Sequence, residues 1–347
     1  MNHEKITISI NSSLLEVLAK LESLPVLQTV FVLDNNKTVI GTITDGDIRR
    51  GFLKGLSLTH PLENFVFKNF HFITEGAKDF NLLRDFRLNR IKAVPLLSKK
   101  GHLLKVIDFS KTKSILPVDA VLMAGGLGTR LQPLTANTPK PLLKVGNKEI
   151  IAYNFDRLSQ FGINNQFVTV NYLGDQVETF CNDYNEDINF TIIKEKKYMG
   201  TAGSLSLIEN FENDTVLLMN SDLLTNIDFE DFYKSFKKEE ADIMVASIPY
   251  DVNLPYAILE SENRIVSSFK EKPSYTYYAS SGIYLIKKEI LKIIPKEEFF
   301  NATDLMDLVI QKGKKLIHFP IRGYWLDIGK HSDYEQAQKD IAHINWD

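Results

Sequence analysis

Apolar residues recur along this chain on two periods, helical and alternating, and the order of the two changes partway along. Leu14, Leu15, Val17, Leu18 and Leu21 fall on helical spacing, and Ser13 with Glu16 forms the pattern of a capping box at the helix start. TVFVLDNNKTVIGTIT then sets two β-branched runs around the turn-forming Asn35 and Asn36, which predicts a hairpin. Roughly sixty residues later the pattern returns, as a duplicated unit would. AKDFNLLRDFRLNR reads as the second helix and AVPLLSKKGHLLKVID as the second strand–turn–strand. Each half is too small to close a core alone, so the two should pack face to face.

The polar stretch FSKTKSILPVD, residues 109–119, places a boundary near residue 115, dividing the chain into 1–115 and 116–347 with a short linker. Beyond it strands and helices alternate. VDAVLMA reads as a strand, 148–161 as a helix, QFVTV as a strand and 174–182 as a helix; TVLLMN is a further apolar run, with DFEDFYKSFKKEE helical after it. This order predicts an α/β fold with a mostly parallel sheet covered on both faces. Ligands gather at the carboxyl ends of such strands, where AGGLGTR and MNSD both stand.

Composition narrows the function classes. A length of 347 residues suits two domains better than one, and 44% hydrophobic with 24% charged residues describes a globular protein with a sizeable core. A net charge of −3 lacks the basic excess of a general nucleic-acid binder. With Cys181 as the single cysteine, no internal disulfide and no thiolate zinc cluster can form, and the seven histidines show no metal-binding pair. MNHEKITISINSS lacks the basic start and apolar run of a secretory signal. No apolar stretch approaches the ~20 residues that span a bilayer, so the chain reads as cytoplasmic.

The densest candidate chemistry is AVLMAGGLGTRLQPLT, residues 120–135. Glycines after a buried strand let the backbone approach a ligand and aim N–H groups at an anion, and Arg130 adds a fixed charge suited to phosphate. Neither GxxxxGK[ST] nor GxGxxG is present, which leaves phosphate binding and a tight structural turn as the two readings. Lys140 follows between Pro139 and Pro141, where the chain is stiff and should not be helical. It is either aimed at one place or a solvated loop lysine.

LMAGGLGTRLQPLTANTPKPLLKV resembles the signature of the nucleotidyltransferases that make nucleotide sugars from a nucleoside triphosphate and a sugar 1-phosphate. The resemblance continues through GTAGSL (200–205), LMNSD (218–222), FKEKPS (269–274), SSGIYLI (280–286) and GYWLDIG (323–329). It covers residues 118 to about 340. It implies a Rossmann-like domain with a mixed, mostly parallel sheet, preceded by a smaller α+β domain. By resemblance, Leu122, Ala124, Gly125, Gly126, Gly128 and Thr129 would line the nucleotide, Gly200 and Thr201 would form the base pocket, and Arg130, Lys140 and Lys272 would be the catalytic cations. Asn171, Glu271 and Gly282 would meet the sugar, and Asp222 with Asp327 would hold Mg²⁺.

The implied reaction, attack of a sugar phosphate on the α-phosphorus of a nucleoside triphosphate, brings two anions together. One like-charge pair at 4 Å costs about 4 kcal/mol at an effective dielectric near 20, so cations are required and a protein nucleophile is not. Asp222 and Asp327 alone would add to the repulsion; they make sense around a cation, and an all-oxygen set suits Mg²⁺. Asp222 could otherwise cap the element after its strand, and Glu271 with Lys272 could be an exposed charge pair. Glu195, near the base loop, is a candidate base contact, and Trp325 reads as core.

FVLDNNKTVIGTITDGDIRRGFLKG is similar to a CBS motif, and two halves make one CBS pair. Thr44 and Asp47 match the family's ribose-contacting Thr-x-x-Asp, although Asp47 suits a helix cap equally. The second half has Lys105 where the family keeps a glycine, and no aspartate follows at the family offset. At most one regulatory nucleotide is expected there, and homo-oligomer formation through this pair is an equal role. The order, CBS pair then short transferase, resembles the glucosamine-1-phosphate guanylyltransferases of bacterial legionaminic acid synthesis, which implies GTP and glucosamine 1-phosphate. Alternatives are a UTP-, dTTP- or CTP-dependent sugar- or choline-phosphate transferase and a non-catalytic nucleotide-sensing scaffold. The scaffold should have lost parts of the charge set, and Arg130, Lys140, Asp222, Lys272 and Asp327 are all present.

Overall fold

The leucine stripe becomes the seam of the first of two units. In the computed structural model, residues 3–24, 28–75, 80–89, 91–109, 111–185 and 187–346 are described. The chain divides into compact units Met1–Ser114 and Ile115–Asp347. Helix α1 (Leu14–Glu22) starts at the expected capping box: the Ser13 hydroxyl accepts from the Glu16 N–H, and the Glu16 carboxylate accepts from the Ser13 N–H at 2.6 Å. It buries Leu14, Val17 and Leu21, whereas Leu15 faces solvent.

Strands β1 (Thr7–Ser9), β2 (Thr29–Leu33) and β3 (Val39–Thr44) form one sheet, with β1 parallel and β3 antiparallel to β2; helix α2 (Asp45–Leu53) follows. The second half repeats it with β4 (Ile73–Thr74), α3 (Phe80–Leu88), β5 (Ala93–Leu97) and β6 (Leu103–Asp108), in the same parallel–antiparallel order. Even the register break recurs, between Val32 and Leu33 and between Leu96 and Leu97. Of the helix expected over 77–90, residues 77–79 and 90 lie outside the described residues. The halves share a core of Ile6, Phe31, Val39, Leu97 and Val106, and the Val39 N–H donates to the Gly101 carbonyl at 3.0 Å.

In the second unit, β7 (Asp119–Met123), α4 (Ile150–Gln160), β8 (Asn165–Val170), α5 (Gly174–Tyr184), β9 (Asn189–Lys194) and β10 (Thr215–Asn220) alternate as the apolar runs predict. A short β11 (Leu223–Thr225) precedes α6 (Phe229–Lys238). Then come β12 (Ile243–Asn253), the hairpin β13 (Ile258–Glu262) and β14 (Ile265–Lys270), and β15 (Ser274–Lys287). Helix α7 (Ala302–Gln311), β16 (Leu316–Pro320), β17 (Trp325–Asp327) and α8 (His331–Asp340) complete it. The seven-stranded sheet has the order β9-β8-β7-β10-β15-β12-β16. Strands β7 to β10 pair in parallel and β16 is parallel to β12; β15 alone runs antiparallel to its neighbours. Central β7 has Ala120, Val121 and Leu122 fully buried, as a strand covered on both faces requires.

The sheet order makes β7 the point where the chain turns from one side to the other. It runs β7 to β8 to β9 on one flank and returns to β10 on the opposite flank. The crevice over the carboxyl ends of these strands is where an open α/β sheet takes its ligand. Strands β12 and β15 also run on beyond the body: β15 is buried from Ser281 to Ile286 and exposed from Thr276 to Ser280.

Candidate active site

Four adjacent carboxyl ends supply the site. The loop after β7 carries Gly125 to Arg130, Asn171 follows β8, Glu195 follows β9, and Asp222 lies in the turn after β10. A cleft of about 450 Å³ opens among them, lined by Gly125, Gly126, Gly128, Thr129, Arg130, Lys140, Glu195, Tyr198, Gly200, Thr201, Asn220, Asp222 and Asp327. The turn bearing Asp222 is fixed from beneath: the buried Asn154 amide donates to the Leu223 carbonyl at 3.0 Å, and the Ser221 hydroxyl donates to the Met123 carbonyl at 2.6 Å.

The glycine loop is shaped by close approach. Gly128 has φ 63°, and a Cβ there would stand 3.0 Å from Thr135 Cγ2. The Thr135 hydroxyl donates to the Gly128 carbonyl at 2.8 Å and pins the turn. At Gly126 an added Cβ would meet nothing, so its backbone faces open cleft. Facing it, the segment 198–203 is sewn to the loop before α7. The Ala202 and Gly203 N–H groups both donate to the Phe300 carbonyl at 2.9 Å, and the Thr201 hydroxyl accepts from the Ala302 N–H at 2.8 Å.

Between these two loops sits Glu195, 7% exposed. Its carboxylate accepts from the Met199 N–H at 3.1 Å, and its carbonyl accepts from the Asn171 amide at 2.9 Å. Burial pushes the carboxyl above its ordinary range, against the pull of the Met199 N–H.

The charged end is built by one short pairing. β11 lies antiparallel to β17 with Leu223 opposite Asp327, which brings Asp222 and Asp327 together from distant parts of the chain. Lys140 makes a direct ion pair with Asp222 and stands 3.9 Å from Asp327. One oxygen on each aspartate, Oδ1, is buried with no hydrogen-bond partner. Burial and the Asp222 charge raise the Asp327 carboxyl, while Lys140 and Arg130 pull it down. Two buried oxygens without hydrogen-bond partners on adjacent carboxylates are donors that suit a hard cation. Among the described residues no third carboxylate, histidine or cysteine joins them.

Not every expected residue lies at the cleft. Leu122 and Ala124 are buried in and just after β7, a strand of a sheet whose two faces are both covered. Asn171 does not line the cleft and instead holds the Glu195 backbone from behind. Gly282 abuts the cleft residue Asn220: with φ 77°, its added Cβ would stand 2.6 Å from Asn220 Nδ2. Glu271 and Lys272 are away from the cleft of their own chain: they form the exposed turn between β14 and β15, with Lys272 at φ 43°. Lys140 also departs from expectation, since Lys140–Leu142 is a 3₁₀ turn; Pro141 fits its first residues, where no N–H is needed. Thr44 and Asp47 form a capping box on α2, with the Asp47 carboxylate accepting from the Thr44 N–H at 2.9 Å and from Arg50 at 2.6 Å.

Glu195, Tyr198, Thr169 and Asn220 are cleft residues that the sequence reading left without an assignment or without weight. Asn220 was within reach, two positions before Asp222 in MNSD. Thr169 and Tyr198 carry no local signal.

The sequence profile of the nucleotidyl transferase family matches residues 119–344, and that of the CBS domain matches residues 1–54. Mannose-1-phosphate guanylyltransferase catalytic subunit beta of Xenopus tropicalis is 28% identical over 224 residues, which is 62% of each chain. Mannose-1-phosphate guanyltransferase of Saccharomyces cerevisiae is 25% identical over 224 residues, again 62% of each. The match thus spans less than two thirds of these relatives. Among solved structures, a Bacillus anthracis protein described as a glucose-1-phosphate thymidylyltransferase superposes with TM-score 0.53 at 26% identity, over 66% of this chain and 97% of that one. HddC from Yersinia pseudotuberculosis, complexed with GMP-PN, gives TM-score 0.51 at 23% identity, over 64% and 99%, a likeness of fold. No described helix is long and apolar enough to cross a membrane.

Proposed function

We propose that this chain, which belongs to the nucleotidyl transferase family, transfers a nucleotidyl group from GTP to a sugar 1-phosphate and releases pyrophosphate. One observation carries the reading: a glycine loop, two cations and two adjacent carboxylates from four segments of chain line a single cleft. The open backbone at Gly126 and the side chains of Thr129 and Arg130 would cradle the triphosphate, and Lys140 would neutralise charge as pyrophosphate departs. The sugar phosphate is already ionised near neutral pH, so the protein orients it in line with the α-phosphorus and need not take a proton from it. Asp222 and Asp327, each with an unsatisfied oxygen, would hold Mg²⁺. When bound, that ion would supply positive charge to the phosphate oxygens.

The base choice rests on Glu195. A carboxylate in the base pocket accepts well from guanine, whose N1–H and N2–H₂ donors lie side by side. Uracil and thymine present one N–H between two carbonyl oxygens, which a carboxylate repels. Relatives named as mannose-1-phosphate guanylyltransferases support the same base. Glucosamine 1-phosphate is the proposed acceptor, for cell-surface glycan synthesis in the cytoplasm. Incubating the protein with Mg²⁺, each of GTP, UTP, dTTP and CTP, and a panel of sugar 1-phosphates, while measuring pyrophosphate, tests this. Release with GTP and an amino-sugar 1-phosphate is expected; release with no pair refutes the transferase reading.

A further inference from the structure

Strands β12 and β15 form a ribbon that leaves the body of the unit at one place. Their register breaks between Val245 and Ser247, opposite Gly282 at φ 77°. Beyond this kink, β12, the β13–β14 hairpin and β15 form an arm over 248–280. Every residue of β14 is exposed, and so are Tyr250, Leu259, Val266, Phe269 and Tyr277, each 50% or more. They are clustered, since Leu259 pairs with Phe269 and Tyr250 with Tyr277. A two-stranded ribbon with a bare apolar face is marginal in water by itself, and clustered exposed apolar side chains mark a contact surface.

The arm does not cover its own body. Its ladder is unbroken from Ser247–Ser280 to Asn253–Ser274. At about 3.3 Å per residue, the stretch from Gly282 to Lys272 spans roughly 30 Å. Gly282 lies against Asn220 at the cleft edge, and Lys272, at the other end of this stretch, does not line the cleft of its own chain. Among the described residues Lys272 makes no ion pair, while the cleft sets Arg130 and Lys140 against Asp222, Asp327 and Glu195. A site for two phosphorylated substrates lacks positive charge, and an exposed lysine stands at the far end of an apolar arm.

We propose that two copies of this chain exchange arms, so that the apolar face and Lys272 of each arm close the cleft of the second copy. The occupant is a second copy because both backbone edges of the arm are open to like pairing. β10 pairs with β15 only from Ile283 to Lys287, and β16 pairs with β12 only from Ile243 to Ser247. Two identical open edges pair about a two-fold axis, and reciprocal exchange is the ordinary route to such a dimer. The charge argument rests on the transferase reading; the apolar and backbone arguments do not.

Complementation tests it. One tagged chain carries Asp222→Asn, with its cleft disabled and its arm intact, and a second, differently tagged chain carries Lys272→Ala. Co-expressed and purified through both tags, the mixed dimer has one complete site in two and should show about half the wild-type activity, while each variant alone shows little. A mixed dimer as inactive as its parents, or a Lys272→Ala chain as active as wild type, overturns the proposal. A second readout is independent of activity. Cys181, the one native cysteine, is buried and its thiol is pushed up to about 12, so Phe269→Cys can be labelled selectively with a benzophenone maleimide. Photolysis should join two chains whether or not the protein turns over; cross-links confined to single chains overturn the exchange. Cross-linked dimers from a wild type without transferase activity would retire the function and leave the arm exchange standing.

Discussion

Replacing Asp222 by asparagine separates the chemistry of the acid pair from its structure. The substitution keeps shape and removes one charge. Lys140 loses its direct partner but keeps Asp327 at 3.9 Å. Two unit charges at that distance attract by about 4 kcal/mol at an effective dielectric near 20, so the lysine stays compensated. The repulsion between the two aspartates, one cause of the raised Asp327 carboxyl, disappears. The fold should therefore be little changed, within about 1 kcal/mol, a shift of a few degrees in Tm for a unit this size. Activity should fall steeply, because half of the proposed cation-holding set is gone. Losing one preorganised electrostatic group costs about 10²–10³ in kcat. The assay is pyrophosphate release with saturating GTP, sugar 1-phosphate and Mg²⁺, run beside calorimetry on the same preparation. Turnover within a few-fold of wild type would refute the assignment of Asp222 to a cation, and unfolding of the variant would refute the stability estimate.

Glu195→Gln should lower kcat/KM for GTP by about 10- to 100-fold, the worth of a hydrogen bond to a charged group, and an unchanged value removes Glu195 from base selection. Because burial raises this carboxyl, its charged form is lost on acidification sooner than that of an exposed glutamate. The wild-type GTP kcat/KM should thus decline at a pH above the usual carboxylate range, and the Gln variant should lack that limb. At Gly200, with φ 78°, an added Cβ would stand 2.7 Å from the Phe300 carbonyl oxygen. Gly200→Ala should cost about 1–3 kcal/mol and raise KM for GTP, and a variant of wild-type Tm and KM would count against this packing. Thr44→Ala removes the hydroxyl that caps α2 and should cost about 1 kcal/mol in urea unfolding of the first unit. No loss there would mean that the box contributes nothing.

What the amino-acid order revealed was chiefly local or dense. The box at Ser13 and Glu16, the hairpin turns and the strand–helix alternation each depend on neighbours within a few positions, and they stand where expected. The charged end was legible because Arg130, Lys140, Asp222 and Asp327 each lie in a distinctive run, and the structure brings all four to one cleft. Lys272 and Glu271 sit in an equally distinctive run, yet their position depends on where an arm points after a kink some ten residues away. Residue order near FKEKPS carries no information about that direction. Glu195 was underweighted for a related reason. Its burial is made by Met199, Asn171 and the glycine loop closing round it, and nothing adjacent in sequence marks it. At Lys140 the flanking prolines were read as excluding any helical turn, although a 3₁₀ turn of three residues tolerates Pro141.

The central claim is that the cleft moves a nucleotidyl group and not a phosphoryl group or water. GTP labelled at the α-phosphorus, incubated with the wild-type protein, Mg²⁺ and a sugar 1-phosphate, follows that group directly. Label recovered in a nucleotide sugar, with one pyrophosphate formed per molecule, is the predicted result. Label confined to GMP or GDP, or left in GTP with every sugar phosphate tried, would contradict it.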